Sequence, residues 1–273
     1  MKNKIALITG GTSGVGLSLV KELSKNNYDV YFIGTNEQKG LEIETELNAL
    51  NLSNNTFINL DLSNINDIKK FVLTFKDKVS HLDLLANIAG VVLPKRIETK
   101  EGVEKTFAIG YLSSFILCTE LTGLLEKSKN GKIVNVAGIA SQVLKPILDF
   151  NNLDFKTNYS PIKSAFSTVH AKTVLTEILA EKFKEKNITV NSFHPGVIKG
   201  NLTKNMPFIL RLIFKIANPF ISNVSKNGIY VCLSEDLKDI TGKLFVNKKA
   251  ININFSEDYK NTLWDKTIDI LDT

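Results

Sequence analysis

A doubly wound α/β fold, a parallel sheet with helices on both faces, is what the sequence predicts, and three observations carry the prediction. Short runs rich in β-branched residues recur along the chain, longer amphipathic stretches separate them, and the first run ends in a glycine-rich turn that opens onto a helical pattern. Parallel neighbours need a long connection that packs back onto a face of the sheet, so this alternation points to a parallel arrangement.

Taken in order, the strand-like runs are KIALIT (4–9), YDVYFIG (28–34), NTFINL (55–60), LDLLANIAG (82–90), GKIVNVAG (131–138), NITVNSF (187–193) and GKLFVN (242–247). Their apolar and β-branched content suits strands buried on both faces. The helical crossovers fall at 14–26, 36–50, 64–78, 99–127 and 161–187. With 273 residues and 43% hydrophobic content the chain can bury a full core, and no Pro/Gly/Ser-rich linker or repeat divides it. A single domain spanning 1–273 is expected, with a helical substrate lid at about 197–220.

The net charge of +6 comes from scattered lysines, and the only arginines are Arg96 and Arg211. A nucleic-acid face needs a concentrated basic stripe, so no nucleic-acid partner is expected. Cys118 and Cys232 lack metal-ligand spacing and read as free thiols, with no metal site. No stretch of about 20 residues is continuously apolar, so no transmembrane segment is expected. The opening MKNKIALITGG lacks a signal-peptide core, and a cytoplasmic location is the expectation.

The first strand ends in Thr9-Gly10-Gly11-Thr12-Ser13-Gly14-Val15-Gly16 and runs into LSLVKELSKN. Glycines let backbone approach a pyrophosphate closely, and the amides and positive end of the next helix attract it. Spaced as T-G-x-x-x-G-x-G, the turn resembles the short-chain dehydrogenase/reductase family, a Rossmann-type fold. Further matches are LDLSN at 60–64, LLANIAG at 84–90 and SFHPGVIKGNL at 192–202, while YSPIK and GKLFVNKKA…LWDKTIDIL resemble its retinol-dehydrogenase-like branch.

The resemblance covers nearly the whole chain and implies a dinucleotide held by Gly10, Thr12, Ser13, Gly14, Val15 and Gly16. It adds Thr35 and Asn36 after the second strand, Asp61 and Leu62 at the adenine, Asn87, Ala89 and Gly90, and then Pro195, Gly196 and Val197. Asp61 also suits a helix N-terminus, and Asn87 a strand-end cap. An acid after the second strand would bond the ribose hydroxyls of NAD, but Gly34-Thr35-Asn36 has none, which favours NADP(H) over NAD(H).

The same resemblance implies catalysis by an Asn-Ser-Tyr-Lys tetrad, in which a lysine one helical turn after the tyrosine lowers its pKa. Tyr159 and Lys163 have that spacing, but Pro161 starts a helix with Ser160 as its cap and leaves Tyr159 outside. Counting back from LTEILAEKFKEKNITVNSFHPG puts the tetrad's Tyr at Ala165 and its Lys at Val169. The serine position in IVNVAG reads Gly138, with Ser141 three positions too late, and the asparagine position reads Gly110. None of the four carries an acid, base or hydroxyl.

His170 is expected as a surface or half-buried helix residue, followed by Lys172 on the same helix; His194 reads as structural and Tyr111 as core. The apolar stretch 201–220, with Lys204, Arg211 and Lys215, suits a lid over a lipophilic small-molecule substrate, a membrane-surface patch, a core helix or a homo-oligomer interface. Three functions remain open. The first is an atypical oxidoreductase acting on a carbonyl or alcohol without the tetrad. The second is a non-catalytic pseudoenzyme serving as scaffold or partner subunit. The third is an ordinary enzyme of the family using Tyr159 and Lys163.

Overall fold

Side chains alternate across the strands and divide the core into two layers, one on each face of a single sheet. The computed structural model describes residues 3–196, 198 and 222–272. Its strands are β1 (Lys4–Thr9), β2 (Tyr28–Gly34), β3 (Asn55–Asn59), β4 (Leu84–Asn87), β5 (Gly131–Val136), β6 (Ile188–Phe193), β7 (Lys243–Val246) and β8 (Lys249–Asn252). They form one sheet in the order β3-β2-β1-β4-β5-β6-β7-β8, parallel through β7 and antiparallel at β8. Strand order reverses between β1 and β4, which is where a doubly wound sheet opens a crevice at its carboxyl edge.

The helices are α1 (Gly14–Lys25), α2 (Glu37–Asn48), α3 (Ile65–Lys78), α4 (Lys105–Phe107), α5 (Ser113–Glu120), α6 (Thr122–Glu126), α7 (Ala140–Val143), α8 (Pro161–Lys182), α9 (Lys226–Leu233) and α10 (Glu257–Leu271). One layer packs Ala6, Ile8, Leu84, Ala86 and Val134 against Leu19, Val20 and Leu23 of α1 and Val231 of α9. The other packs Leu7, Leu85, Ile133 and Val190 against α3, α5 and α8. Neighbouring strand residues thus face opposite layers, the period-two pattern of a sheet buried on both sides.

The structure departs from the sequence reading in four places. The crossover expected over 99–127 is broken by a π-helical turn at Ala108–Leu112 and again at Leu121. The strand expected over 82–90 pairs only at Leu84–Asn87, because the hydroxyl oxygen of Thr9 accepts the amides of Ile88 and Ala89 and curls the chain away. β8 was not expected; it returns from β7 through Asn247 (φ 50°) and Lys248 (φ 65°), the two positive-φ positions of a tight hairpin. Finally, His170 is fully buried rather than at the surface or half-buried. The expected lid at 197–220, with Val197, Lys204, Arg211 and Lys215, lies outside the described residues apart from Ile198.

Candidate functional site

The turn between β1 and α1 is built on backbone that tolerates no side chain at its glycine positions. Gly10 (φ +70°) and Gly14 (φ +53°) adopt the left-handed region that favours glycine. A Cβ on Gly16 would lie 2.2 Å from the Gly10 carbonyl oxygen, and one on Gly10 would lie 3.0 Å from Ala89 Cα. The turn therefore closes directly on the chain leaving β4. Ser13 caps α1 in extended backbone without using its hydroxyl as a cap, and the first intrahelical bond is Leu17 N–H to the Ser13 carbonyl. The amides of Gly14, Val15 and Gly16 precede that bond and point, with the helix dipole, out of the N-terminus. Such a cradle fits a pyrophosphate.

Beside it, Thr12 packs on Gly34 at the end of β2, where a Cβ would come within 2.6 Å of Thr12 Cγ2. Thr35 and Asn36 are exposed, and Asn36 caps α2 by accepting the Lys39 amide at 3.0 Å. Asp61 accepts bonds from the amide and hydroxyl of Ser63 at 2.9 and 2.7 Å and pairs with Lys105 at 3.4 Å. Partial burial opposes its ionisation, but these partners outweigh burial and hold its carboxyl below the usual range. Leu62 is buried and offers only backbone. Asn87 is fully buried, and its amide turns inward to Asn135 Oδ1 (2.9 Å) and Cys118 Sγ (3.1 Å). Gly90 has open space around its Cα. Pro195 and Gly196 (φ +76°) follow β6 at the same edge.

The four tetrad positions cluster, and they are closed by packing. Gly110 sits in the π turn, a deformation that marks functional sites in many helices. A Cβ there would come within 2.2 Å of Thr168 Cγ2. A Cβ on Gly138 would lie 2.8 Å from Val143 Cγ1 and 3.0 Å from Val169 Cγ2. Val169 and Ala165 are half-buried on α8. The wall is thus apolar where the family's acid-base groups would stand.

Tyr159 and Lys163 are not brought together. α8 begins at Pro161 with Ser160 as N-cap, its hydroxyl accepting the Lys163 amide. Tyr159 lies before the helix and donates its hydroxyl to the Leu93 carbonyl at 2.8 Å, while the Lys163 side chain is exposed. Partial burial, with Glu104 nearby, raises the Tyr159 pKa, the opposite of what a general base needs. Ser141 is exposed on α7.

Two residues on α8 gain their importance only in the structure: Thr168, which the sequence reading passed over, and Lys172, which it noted without assigning a role. Thr168 fills the space beside Gly110. Lys172, 1% exposed, sends its Nζ to the Asn87 carbonyl at 3.1 Å, directly beneath the end of β4. Burial pulls its ammonium down to about 7. The signal for Lys172 was present in HAKTVLTEILA: it shares the stripe of Thr168, Leu175 and Leu179, spaced by three, four and seven. His170 bonds the Val143 carbonyl and the Tyr259 hydroxyl, both at 2.9 Å. His194 is partly buried beyond β6, its amide bonding the Phe245 carbonyl. Tyr111 is core, bonded to Thr267 at 2.8 Å.

Among the described residues no group of side chains is arranged to hold a metal ion, and no helix is long and apolar enough to cross a membrane. A family profile described as short chain dehydrogenase matches residues 4–207. Similar proteins include mouse retinol dehydrogenase 12, 28% identical over 98% of this chain and 86% of its own length. Human polyprenol dehydrogenase is 25% identical over 98% and 85%. Among solved structures, the RhlG/NADP active-site complex of Pseudomonas aeruginosa superposes with a TM-score of 0.67 at 20% identity, covering 88% of this chain and 93% of that one.

Proposed function

The chain belongs to the short-chain dehydrogenase family, and from that premise we propose that it binds NADP(H) in preference to NAD(H) and acts as an atypical oxidoreductase on a lipophilic carbonyl or alcohol. The observation that carries this reading is the glycine cradle: Gly10, Gly14 and Gly16 keep a close-approach geometry that a single Cβ would destroy. A bound nicotinamide supplies the hydride chemistry, and the chain's contribution is to hold and orient. Gly14–Gly16 amides face the pyrophosphate, Thr35 and Asn36 the adenosine ribose, and Asp61 the adenine. Gly34, Thr35 and Asn36 at the end of β2 set no carboxylate against a 2′-phosphate, and Glu37 and Lys39 follow in the first turn of α2. Ile139 and Ile162, beside Gly138 and shortly before Ala165, are about half exposed and suit an apolar substrate. The names of the relatives, retinol and polyprenol dehydrogenases, agree with that class.

Proton transfer cannot run through the tetrad positions as they stand, so turnover is expected to be slow and indifferent to Tyr159→Phe. A second reading, a dinucleotide-binding pseudoenzyme acting as scaffold or partner subunit, is favoured by one observation: Thr168, Val143 and Val169 close the tetrad positions by packing. The test is fluorescence titration of the purified protein with NADPH and NADH, followed by aldehyde reduction read as loss of reduced-nicotinamide absorbance. NADPH is expected to bind more tightly than NADH, and Gly16→Val is expected to abolish binding. Binding of neither at millimolar concentration would remove the oxidoreductase reading; binding without any turnover would leave the pseudoenzyme. Turnover abolished by Tyr159→Phe would instead restore the ordinary tyrosine-lysine reading.

A further inference from the structure

Lys172 is a cation in the wrong place for ordinary packing. It is 1% exposed in the apolar stripe of α8, and its Nζ meets one acceptor, the carbonyl of the last residue of β4. No carboxylate pairs with it among the described residues. The elements around it bring the Asn87 carbonyl from β4 and the Cys118 thiol from α5, and burial pushes that thiol up to about 12, so it is neutral. From β5 comes Asn135, which bonds Asn87 and Thr176; Thr176 in turn bonds the Lys172 carbonyl. Asn87 Oδ1 is itself buried without a partner. An uncompensated buried ammonium costs stability, so its presence under the site's floor asks for a functional account.

A dinucleotide lying across the switch point places its adenine half over β2 and β3, beside Thr35 and Asp61. Its other half then falls over β4 and β5, above Lys172. We propose that Lys172 is a positioning residue that makes the cleft select the reduced nicotinamide ring over the oxidised one. This rests on the reading that a nicotinamide dinucleotide occupies the cleft. The oxidised ring carries a positive charge and the reduced ring none, while phosphates, riboses and adenine are the same in both. A fixed cation beneath the ring, in a medium of low dielectric, therefore penalises the oxidised form alone. Lys172 would act through space, its Nζ held at the Asn87 carbonyl 3.1 Å away. Because its ammonium titrates near neutrality, the selection depends on pH: strong when Lys172 is protonated, weak when it is neutral.

The experiment measures Kd for NADPH and NADP+ by calorimetry at about pH 6 and about pH 9, on either side of the titration. The wild type is expected to favour NADPH by about tenfold at the lower pH and clearly less at the higher. Lys172→Met is expected to bring the two pH values to one common ratio. Since both ligands carry the same phosphates, their own titration cancels in that ratio. A wild-type ratio unchanged with pH, or a folded Lys172→Met protein that keeps the wild-type profile, would overturn the proposal while leaving dinucleotide binding intact. Should Lys172→Met fail to fold, the wild-type pH profile alone decides. Binding of neither ligand would remove the dinucleotide reading and this proposal together.

Discussion

At Gly110 an added Cβ would lie 2.2 Å from Thr168 Cγ2, well inside carbon-carbon contact, so the asparagine of the family pattern cannot return there alone. Overfilling a packed core costs about 1–3 kcal/mol, and Gly110→Asn should lower the urea midpoint accordingly. Thr168→Ser removes Cγ2 but keeps the hydroxyl that bonds the Ser164 carbonyl at 2.8 Å. The double variant should therefore recover most of the loss, and a double-mutant cycle would show coupling between the two sites. Equal losses in the single and double variants would mean that Thr168 is not what fills the space. At this scale the sequence was informative about glycines and proline, whose backbone preferences act locally: the cradle and the Pro161 helix start were both readable. The roles of Thr168 and Lys172 were not, because each depends on a neighbour on another element. Thr168 counts only through Gly110, and Lys172 only through the end of β4.

Between elements, one buried network ties α8, α10 and the chain after α7 together. The Val143 carbonyl can only accept, so His170 Nδ1 carries the proton and Nε2 accepts from the Tyr259 hydroxyl. The same phenol oxygen accepts the amides of Ile147 and Leu148 at 3.1 and 3.0 Å. Phe150, Phe255 and His170 pack their rings around it at 5.0 to 5.8 Å. Tyr259→Phe would strip two backbone amides of their acceptor and leave His170 Nε2 buried and unpaired, at roughly 2–3 kcal/mol. Hydrogen exchange at Ile147 and Leu148 should speed up more than exchange in β5; uniform acceleration would refute a local clamp. This network was invisible in sequence, where His170 looked like a half-exposed helix residue and nothing linked it to a tyrosine 89 positions later. The strands, by contrast, were legible because each carries its own apolar run. Only β8 was missed, since it follows an Asn-Lys turn lacking the glycine that usually announces a tight hairpin.

Across the whole molecule, buried titratable groups tilt stability toward alkaline pH. His170 is held neutral by burial, its pKa drawn down to about 4 from an ordinary 6.5. Between those values the unfolded chain takes up a proton that the native protein refuses, so stability falls as pH drops through that window, by up to about 3 kcal/mol. Lys172, drawn down by burial to about 7 from 10.5, acts in the same direction at higher pH. There the unfolded lysine is charged while the native one has lost its proton, so stability rises from about pH 7 toward 9. Cys118 and Cys232 oppose that rise from about pH 9, because burial pushes both thiols up to about 12, and Tyr28 and Tyr111 add to the reversal beyond about pH 10: burial raises both phenols, and in each case the unfolded chain ionises first. Urea midpoints measured across this range should therefore climb from acid to a maximum well above the neutral optimum of ordinary domains. His170→Leu should flatten the acid limb, and Lys172→Met should raise stability at neutral pH while flattening the alkaline limb. A wild-type midpoint that is no higher at about pH 9 than at about pH 7 would show that Lys172 keeps its proton in the folded protein.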